Sequence, residues 1–139
     1  MLRRHGIDRG DGKILMKTIR LDVKAISVNR AHRVTKQGRV IKSKQYTAFE
    51  KAVWHGVLQQ AGLCKLPSGK LALRVCFGIS HRFDLDNGLK CLIDALEKVY
   101  RFNDCEIYAI EACKAEVKRG AEFIEFCFFQ YATCAVKSV

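Results

Sequence analysis

The sequence predicts an α+β fold, in which a mixed β-sheet packs against two main helices within a single domain. Several segments alternate apolar and polar residues, which is typical of half-buried strands, and two longer segments repeat apolar residues at helical spacing. The chain has 139 residues, 49% of them hydrophobic, and can therefore bury a core of its own. The sequence contains no internal repeat or linker, which favours one domain.

The folded domain is predicted to cover residues 16 to 139. Residues 1 to 15 contain three glycines and show no apolar periodicity, so we expect them to form a disordered N-terminal extension. The sequence leaves open whether Met1 or Met16 is the start of the protein.

Four strands and one hairpin are predicted. The strands are residues 16 to 23, 70 to 80, 106 to 117 and 121 to 131. Residues 30 to 42 predict the hairpin, with Gly38 in its turn, and Asn29 is expected in the loop before it. The run from 121 to 131 is apolar on both faces, so it is either a central strand or a surface on which a second subunit packs.

Two helices are predicted between these strands. Ser43 favours an N-cap and Gly62 a helix end, which bounds the first helix. The second helix is predicted over residues 87 to 100, where apolar residues recur every three or four positions. A turn is expected at Pro67 to Gly69.

The positive charge is concentrated in the first part of the chain. Residues 1 to 51 hold 14 Lys and Arg against 4 Asp and Glu, whereas residues 52 to 139 are close to neutral. Residues 30 to 44 hold six basic residues and no acid. This pattern favours a polyanion partner, and we expect nucleic acid. A solvated basic loop is the alternative interpretation.

The cysteines and the length of the apolar runs indicate the cellular compartment of the protein. The seven cysteines include no C-x-x-C pair, and four of them lie in apolar runs, where we expect free, buried thiols: Cys76, Cys91, Cys113 and Cys127. A disulfide framework or a zinc site is less favoured. No apolar run is long enough to span a bilayer, and no secretory signal is evident, so a cytoplasmic protein is expected.

Three carboxylates flank the second predicted helix. Asp84 and Asp86 precede or begin it, and Asp104 follows it, just before a strand. Hard divalent cations prefer several oxygen ligands, and metal-assisted phosphodiester cleavage uses such carboxylates beside a basic surface. A helix N-cap would explain one of the acids but not all three. Lys90 lies one turn after Asp86 and either faces the same site or pairs with Asp86 or Asp94.

Taken together, these motifs resemble the RusA-type Holliday junction resolvases, a family of crossover junction endodeoxyribonucleases common on phages. The family pattern is Asp-x-Asp-Asn, a Lys three positions beyond that Asn, Asp-Ala-Leu, and an Asp-Asp-x-Gln-Ile box. The matching residues are Asp84-Leu85-Asp86-Asn87, Lys90, Asp94-Ala95-Leu96 and Asn103-Asp104-Cys105-Glu106-Ile107. The box departs from the pattern, since Asn103 replaces its first acid and Glu106 replaces its Gln.

The resemblance implies a Mg²⁺-dependent enzyme, with Mn²⁺ as a substitute, that resolves four-way DNA junctions by paired nicks on opposed strands. It implies that Asp84, Asp86 and Asp104 are catalytic metal ligands, and Lys90 is a further catalytic candidate. It also implies a RusA-like homodimer that binds branched DNA and needs no small-molecule cofactor. A non-catalytic DNA-binding protein of the same fold, with structural carboxylates, is the alternative.

The candidate DNA contacts combine the basic run with positions near the acids. They are Asn29, Arg30, Arg33, Lys36, Arg39, Lys42, Lys44 and Arg82.

Overall fold

A four-stranded sheet and three helices form most of the part of the chain that the computed structural model describes, residues 13–62, 66 and 69–132. The elements in chain order are β1 (Ile19–Leu21), α1 (Val28–Ala31), β2 (His32–Val34), β3 (Val40–Lys42), α2 (Lys44–Ala61), β4 (Leu71–Ile79), α3 (Leu85–Tyr100), a 3₁₀ turn (Asp104–Glu106), β5 (Ile107–Glu116) and β6 (Phe123–Gln130). This confirms the predicted α+β class and the two main helices. The turn predicted at Pro67 and Ser68 lies outside the described residues.

The sheet is mixed, with the strand order β1-β6-β4-β5. Strand β6 is antiparallel to both of its neighbours, and β5 is parallel to β4. Parallel neighbours need a crossover connection, which α3 provides. Helix α3 therefore runs antiparallel to β4 and β5. Its N-terminus lies at the C-terminal end of β4, and its C-terminus lies at the N-terminal end of β5.

Helices α2 and α3 cover one face of the sheet. Their apolar stripes pack against alternate residues of β1, β4 and β6 in one continuous core. The fully buried residues of the two central strands on this face are Leu71, Leu73, Val75, Phe77, Ile124, Phe126 and Phe128. Leu96 on α3 is also fully buried, so Leu96→Ala would cost about 2–5 kcal/mol of stability.

Strand β6 is internal, which decides between the two interpretations of the run from 121 to 131. It lies between β1 and β4, and residues 124 to 129 are all buried within the single chain. The central-strand interpretation is therefore confirmed, and the burial of residues 124 to 129 within one chain speaks against the alternative, a subunit interface from Phe123 to Tyr131. Strand β4 is also buried over its whole length, rather than on one face as its alternation predicted.

Helix α2 begins and ends at the residues that the sequence predicted. The hydroxyl oxygen of Ser43 accepts a hydrogen bond from the Tyr46 N–H at 3.1 Å and caps the helix. Gly62 follows the last turn with φ 67°, and its N–H donates to the Leu58 carbonyl. Such a positive φ favours glycine, which explains why the helix stops there.

Two local expectations need correction. Asn29 lies in the one-turn helix α1 and not in a loop. Residues 13 to 15, assigned to the disordered extension, pair with β6: the Leu15 N–H donates to the Phe128 carbonyl at 3.1 Å, and Ile14 bridges Phe129. The other residues of the predicted extension lie outside the described part.

Three of the four cysteines expected to be buried are buried: Cys76, Cys91 and Cys127. Burial raises the pKa of Cys91 to about 11, and burial together with a hydrogen bond to Cys113 raises the pKa of Cys76 to about 12. Cys113 is exposed, because it lies on β5 at the edge of the sheet. Among the described residues, no helix is long and apolar enough to cross a membrane.

Candidate functional site

Asp84 and Asp86 lie together at the N-terminus of α3. Asp84 is the N-cap residue, yet its side chain makes no capping hydrogen bond, and Asp86 is in the first turn. Both side chains are exposed. Two negative charges are electrostatically favourable at a helix N-terminus, where the backbone N–H groups carry partial positive charge. The fold therefore tolerates both acids without using the carboxylate of Asp84 as a cap.

The loop that carries these acids is held by the ring of Phe83. This ring is buried and lies 5.2 Å from the ring of Phe77, centroid to centroid. It also packs so closely on Gly88 that a Cβ at that position would lie 1.9 Å from Phe83 Cζ. The Phe83 carbonyl accepts a hydrogen bond from Lys114 Nζ at 2.8 Å, which ties the loop to β5. Asp84 is thus attached to a rigid support.

A cleft of about 290 Å³ opens beside Asp84. It brings Asp84 together with three of the predicted DNA contacts, Asn29, Arg30 and Arg82, which come from different parts of the chain. The cleft is also lined by Lys24, Ser27, His81 and Asn87. Of these, Asn87 had a signal in the sequence, because it directly follows the Asp-x-Asp motif.

Lys90 pairs with Asp94. Its Nζ lies 3.6 Å from the Asp94 carboxylate, one helical turn further along α3, and the Lys90 side chain is 63% exposed. Within the described chain it forms no ion pair with Asp86. The ion pair between Lys90 and Asp94 is one of the alternatives that the sequence left open. An ion pair this exposed is weak, so Lys90 can leave Asp94 and bind a phosphate instead.

Asp104 lies at the other end of α3 from Asp84 and Asp86. A helix of 16 residues is about 24 Å long, and Asp104 begins the 3₁₀ turn beyond its C-terminus. There it is close enough to Glu97 to affect its titration: burial first, and then the charges of Asp104 and Asp94, raise the pKa of Glu97. Asn103, at the position where the family has an acid, accepts a hydrogen bond from the Cys105 N–H and caps this turn.

The described chain therefore does not bring the three predicted metal ligands together. No group of three His, Cys, Asp or Glu side chains able to hold a metal ion occurs among the described residues. Asp84 and Asp86 by themselves suit a cation such as Mg²⁺, since within the described chain no hydrogen bond or ion pair occupies their side-chain oxygens. They fit as two of its ligands, and water and a substrate phosphate can complete the coordination.

The basic hairpin formed by β2 and β3 directly follows α1, the short helix that carries Asn29 and Arg30. Its turn is closed by two hydrogen bonds from the Gly38 and Thr35 backbone N–H groups, and Gly38, which lies in the turn as the sequence predicted, has φ 80°. Its base is fixed to the helices, because the Ser43 hydroxyl donates to the Arg30 carbonyl at 2.6 Å. Most side chains at its strands and tip are exposed, including Arg33, Lys36 and Arg39, whereas Thr35 and Ile41 are half-buried.

Lys42 differs from the other basic residues of the hairpin. Its Nζ pairs with Glu50 on α2 at 2.9 Å, and Glu50 also pairs with Lys98 on α3. This network connects the hairpin to both main helices. Lys44 is exposed in the first turn of α2.

Exposed carboxylates beside a cleft lined with arginine, lysine and asparagine are typical of enzymes that cleave phosphodiesters in nucleic acids. A model of the endodeoxyribonuclease RusA family matches residues 22–124. The chain belongs to this family, which confirms the resemblance seen in its motifs, and the family's activity is that of a nuclease that resolves Holliday junctions. No curated protein gives a significant match.

Proposed function

We propose that this protein is a Mg²⁺-dependent endodeoxyribonuclease that resolves four-way DNA junctions by paired nicks on opposed strands. Family membership supports the nuclease activity. The observation that supports the finer proposal is the cleft in which Asp84 lies beside Asn29, Arg30 and Arg82, because a carboxylate that could bind a metal ion shares this cleft with side chains that could bind phosphate.

The cleft residues would hold the scissile strand. Arg30 and Arg82 can donate charge-assisted hydrogen bonds to phosphate oxygens, and Asn29 can donate from its amide. A divalent cation held by Asp84 and Asp86 would offset the phosphate charge and make a bound water a better nucleophile. Mn²⁺ has similar ligand preferences and should substitute for Mg²⁺.

Lys90 would act after a change of partner. In the free protein its ammonium group pairs with Asp94, on the same helix as Asp86. A phosphate bound at the N-terminus of α3 would compete for this ammonium group, which could then stabilise the charge that develops during cleavage. Asp94 would be a positioning residue, because it holds Lys90 on this side of the helix.

The basic hairpin would bind the arm of the junction that leads to the cleft. Arg33, Lys36 and Arg39 are exposed and contribute three positive charges on one projecting element. Contacts of this kind to the DNA backbone position the duplex and do not read its sequence. The enzyme would act as a homodimer, because a four-way junction has approximate two-fold symmetry and its resolution needs two nicks.

The test compares Asp86→Asn with the matched variant Asp22→Asn on a synthetic four-way junction. Asp22 is also an exposed aspartate, with a side chain that is 93% exposed, but it does not line the cleft. We expect Asp86→Asn to abolish Mg²⁺-dependent nicking while binding of the junction is retained or strengthened, because a metal ligand and a repulsive charge are lost. Asp22→Asn should cleave like the wild type. Cleavage by Asp86→Asn at the wild-type rate would contradict the assignment, and the absence of cleavage by the wild type would favour a non-catalytic DNA-binding protein.

A further inference from the structure

The two most exposed large apolar side chains in the described part of the chain lie opposite each other on the basic hairpin. Val34 on β2 is 68% exposed, and Val40 on β3 is 69% exposed. They are direct partners in the antiparallel register of the hairpin. Directly opposite residues project to the same side of a two-stranded ribbon, with their Cβ atoms about 5 Å apart. Val34 and Val40 therefore form one apolar surface next to the turn, which we call the valine patch.

The two faces of the hairpin differ in chemistry. Successive side chains of a strand point to opposite faces, so Arg33 projects away from the face of the valine patch. Arg39 belongs to the same face as Arg33, because its carbonyl accepts a hydrogen bond from the Thr35 N–H in the next rung of the ladder. Lys36 adds a positive charge at the exposed turn. One face of the hairpin tip is thus apolar, whereas the other face and the turn are basic.

The base of the hairpin is packed against α2, which gives the tip a defined direction. His32 lies on the same face as the valine patch, and its ring stacks on that of Tyr46 with 5.6 Å between the centroids. Lys42 pairs with Glu50 at 2.9 Å on this face. The tip is therefore exposed on a hairpin whose base is fixed, as a preorganised contact surface requires.

The valine patch is also close to the cleft that contains Asp84. Arg30 lines this cleft and precedes Val34 by four residues. Consecutive Cα atoms are about 3.8 Å apart, so the Cα atoms of Arg30 and Val34 are separated by no more than about 15 Å. This distance corresponds to about four base pairs of duplex DNA. DNA that enters the cleft can therefore reach the valine patch.

The stability of the hairpin does not by itself require valine at these positions. Cross-strand pairs of β-branched residues stabilise a hairpin, and threonine is β-branched and favours strands as valine does. Threonine would serve this purpose without exposing two apolar side chains to water. The exposed methyl groups point to a partner that covers them, and the positive charges on the same hairpin favour DNA as this partner.

Branched DNA offers an apolar surface that a continuous duplex lacks. Contacts to phosphate are available on a duplex and on a junction alike, so the basic residues contribute affinity but little preference for a branch. At the centre of a four-way junction the four arms end, and the terminal base pairs lose stacking partners when the arms spread apart. Apolar side chains are the groups that proteins insert at unstacked base steps.

We propose that the valine patch packs against the unstacked base pairs at the centre of a four-way junction, while the basic face of the same hairpin binds the backbones of the arms. This role rests on the junction cleavage proposed above and adds the groups that recognise the branch. Val34 and Val40 would provide the preference for branched DNA, and the basic side chains would provide affinity for DNA of any form.

A pair of nearly isosteric substitutions tests this role. Val34→Thr combined with Val40→Thr keeps the β-branched shape but replaces one methyl group of each side chain by a hydroxyl group. We expect the preference of this variant for a four-way junction over a duplex of equal length to fall about tenfold, because two methyl groups are lost from the apolar contact. Its affinity for the duplex and its salt dependence should not change, because no phosphate contact is lost. Val34→Ile combined with Val40→Ile remains apolar and is the matched control, which should keep the preference.

Fluorescence measures the contact with the bases directly. Stacking quenches 2-aminopurine, so this base is placed next to the branch of a junction, and the protein carries Asp86→Asn to prevent cleavage. We expect binding to raise the fluorescence about fivefold with the valines present and less than about twofold with both threonines. The same probe near the end of an arm should not respond with either protein.

The outcomes separate this role from the proposed function. An unchanged junction preference or an unchanged rise of fluorescence in the threonine variant would overturn the contact with the branch and leave the nuclease function intact. Equal losses of junction and duplex binding would also overturn it, because the valines would then only stabilise the hairpin. A change of molecular mass in light scattering would instead assign the valine patch to a contact between copies of the chain. The nuclease function fails on a different result, the absence of Mg²⁺-dependent junction cleavage by the wild type.

Discussion

The contact between Phe83 and Gly88 leads to the most detailed prediction, because it fixes the loop that carries Asp84. A methyl group at Gly88 would lie 1.9 Å from Phe83 Cζ, whereas ordinary contact begins near 3.4 Å. In Gly88→Ala the ring must therefore move by about 1.5 Å, the difference between these two distances, and the loop must move with it. A displacement of about 1 Å at a reacting group can cost about 100-fold in rate, and we expect a loss of this size in junction cleavage.

The effect of Gly88→Ala on stability is expected to be smaller. Alanine gains about 0.5–1 kcal/mol over glycine inside a helix, and overpacking costs about 1–3 kcal/mol, so the net loss lies between about 0 and about 2.5 kcal/mol. Denaturant unfolding measures this value, and single-turnover cleavage measures the rate. The double variant with Phe83→Leu removes the ring and should recover part of the activity, with Phe83→Leu alone as the control. If Gly88→Ala cleaves at the wild-type rate and is more stable than the wild type, the ring does not position the loop.

Three further predictions concern the hairpin, Lys90 and Glu50. Substitution of Arg33, Lys36 and Arg39 by Glu should weaken DNA binding. The slope of log K against the logarithm of the salt concentration should fall by up to about 2.7, because each lost phosphate contact removes about 0.9 from it. Filter binding at several salt concentrations measures this slope, and an unchanged slope would mean that DNA binds to another surface. Lys90→Met should lower single-turnover cleavage by about 100-fold with unchanged DNA affinity, and a wild-type rate would exclude its catalytic role. Burial acts to raise the pKa of Glu50, but hydrogen bonds from its two lysine partners hold it below the ordinary value of 4.5. The stability that these interactions add is present above about pH 4.5 and is lost as the pH falls through the folded-state pKa of Glu50. Glu50→Gln should therefore lower Tm at pH 7 and lower it much less at pH 3. An equal loss of Tm at the two pH values would contradict this.

Local signals in the sequence were sufficient for the elements that are stabilised by local interactions. The Ser43 cap, the glycine turn of the hairpin and the end of α2 at Gly62 each depend on a few neighbouring residues. The short helix α1 was missed because a single turn has no periodicity to detect. The pairing of residues 13 to 15 with β6 depends on a partner more than 100 residues away, for which the sequence gave no local sign.

Sheet order explains the remaining differences. A strand that is apolar on both faces can be the central strand of a sheet or can pack against another subunit. The sequence of residues 121 to 131 could not distinguish these two possibilities. Cys113 was expected to be buried because its neighbours are apolar, but it lies on the edge strand β5. The motifs around Asp84 and Asp104 suggested one cluster, whereas the parallel crossover places them at opposite ends of α3.

The central claim is that this protein cuts both opposed strands of a four-way junction in one binding event. A supercoiled plasmid with an extruded cruciform tests it directly, because a single nick releases the supercoiling and the cruciform is then lost. Paired nicks within one binding event convert such a plasmid into linear DNA. With Mg²⁺ we expect linear DNA as the main product, and with EDTA no cleavage. Relaxed circles alone, or cleavage that does not need a divalent metal, would contradict the account.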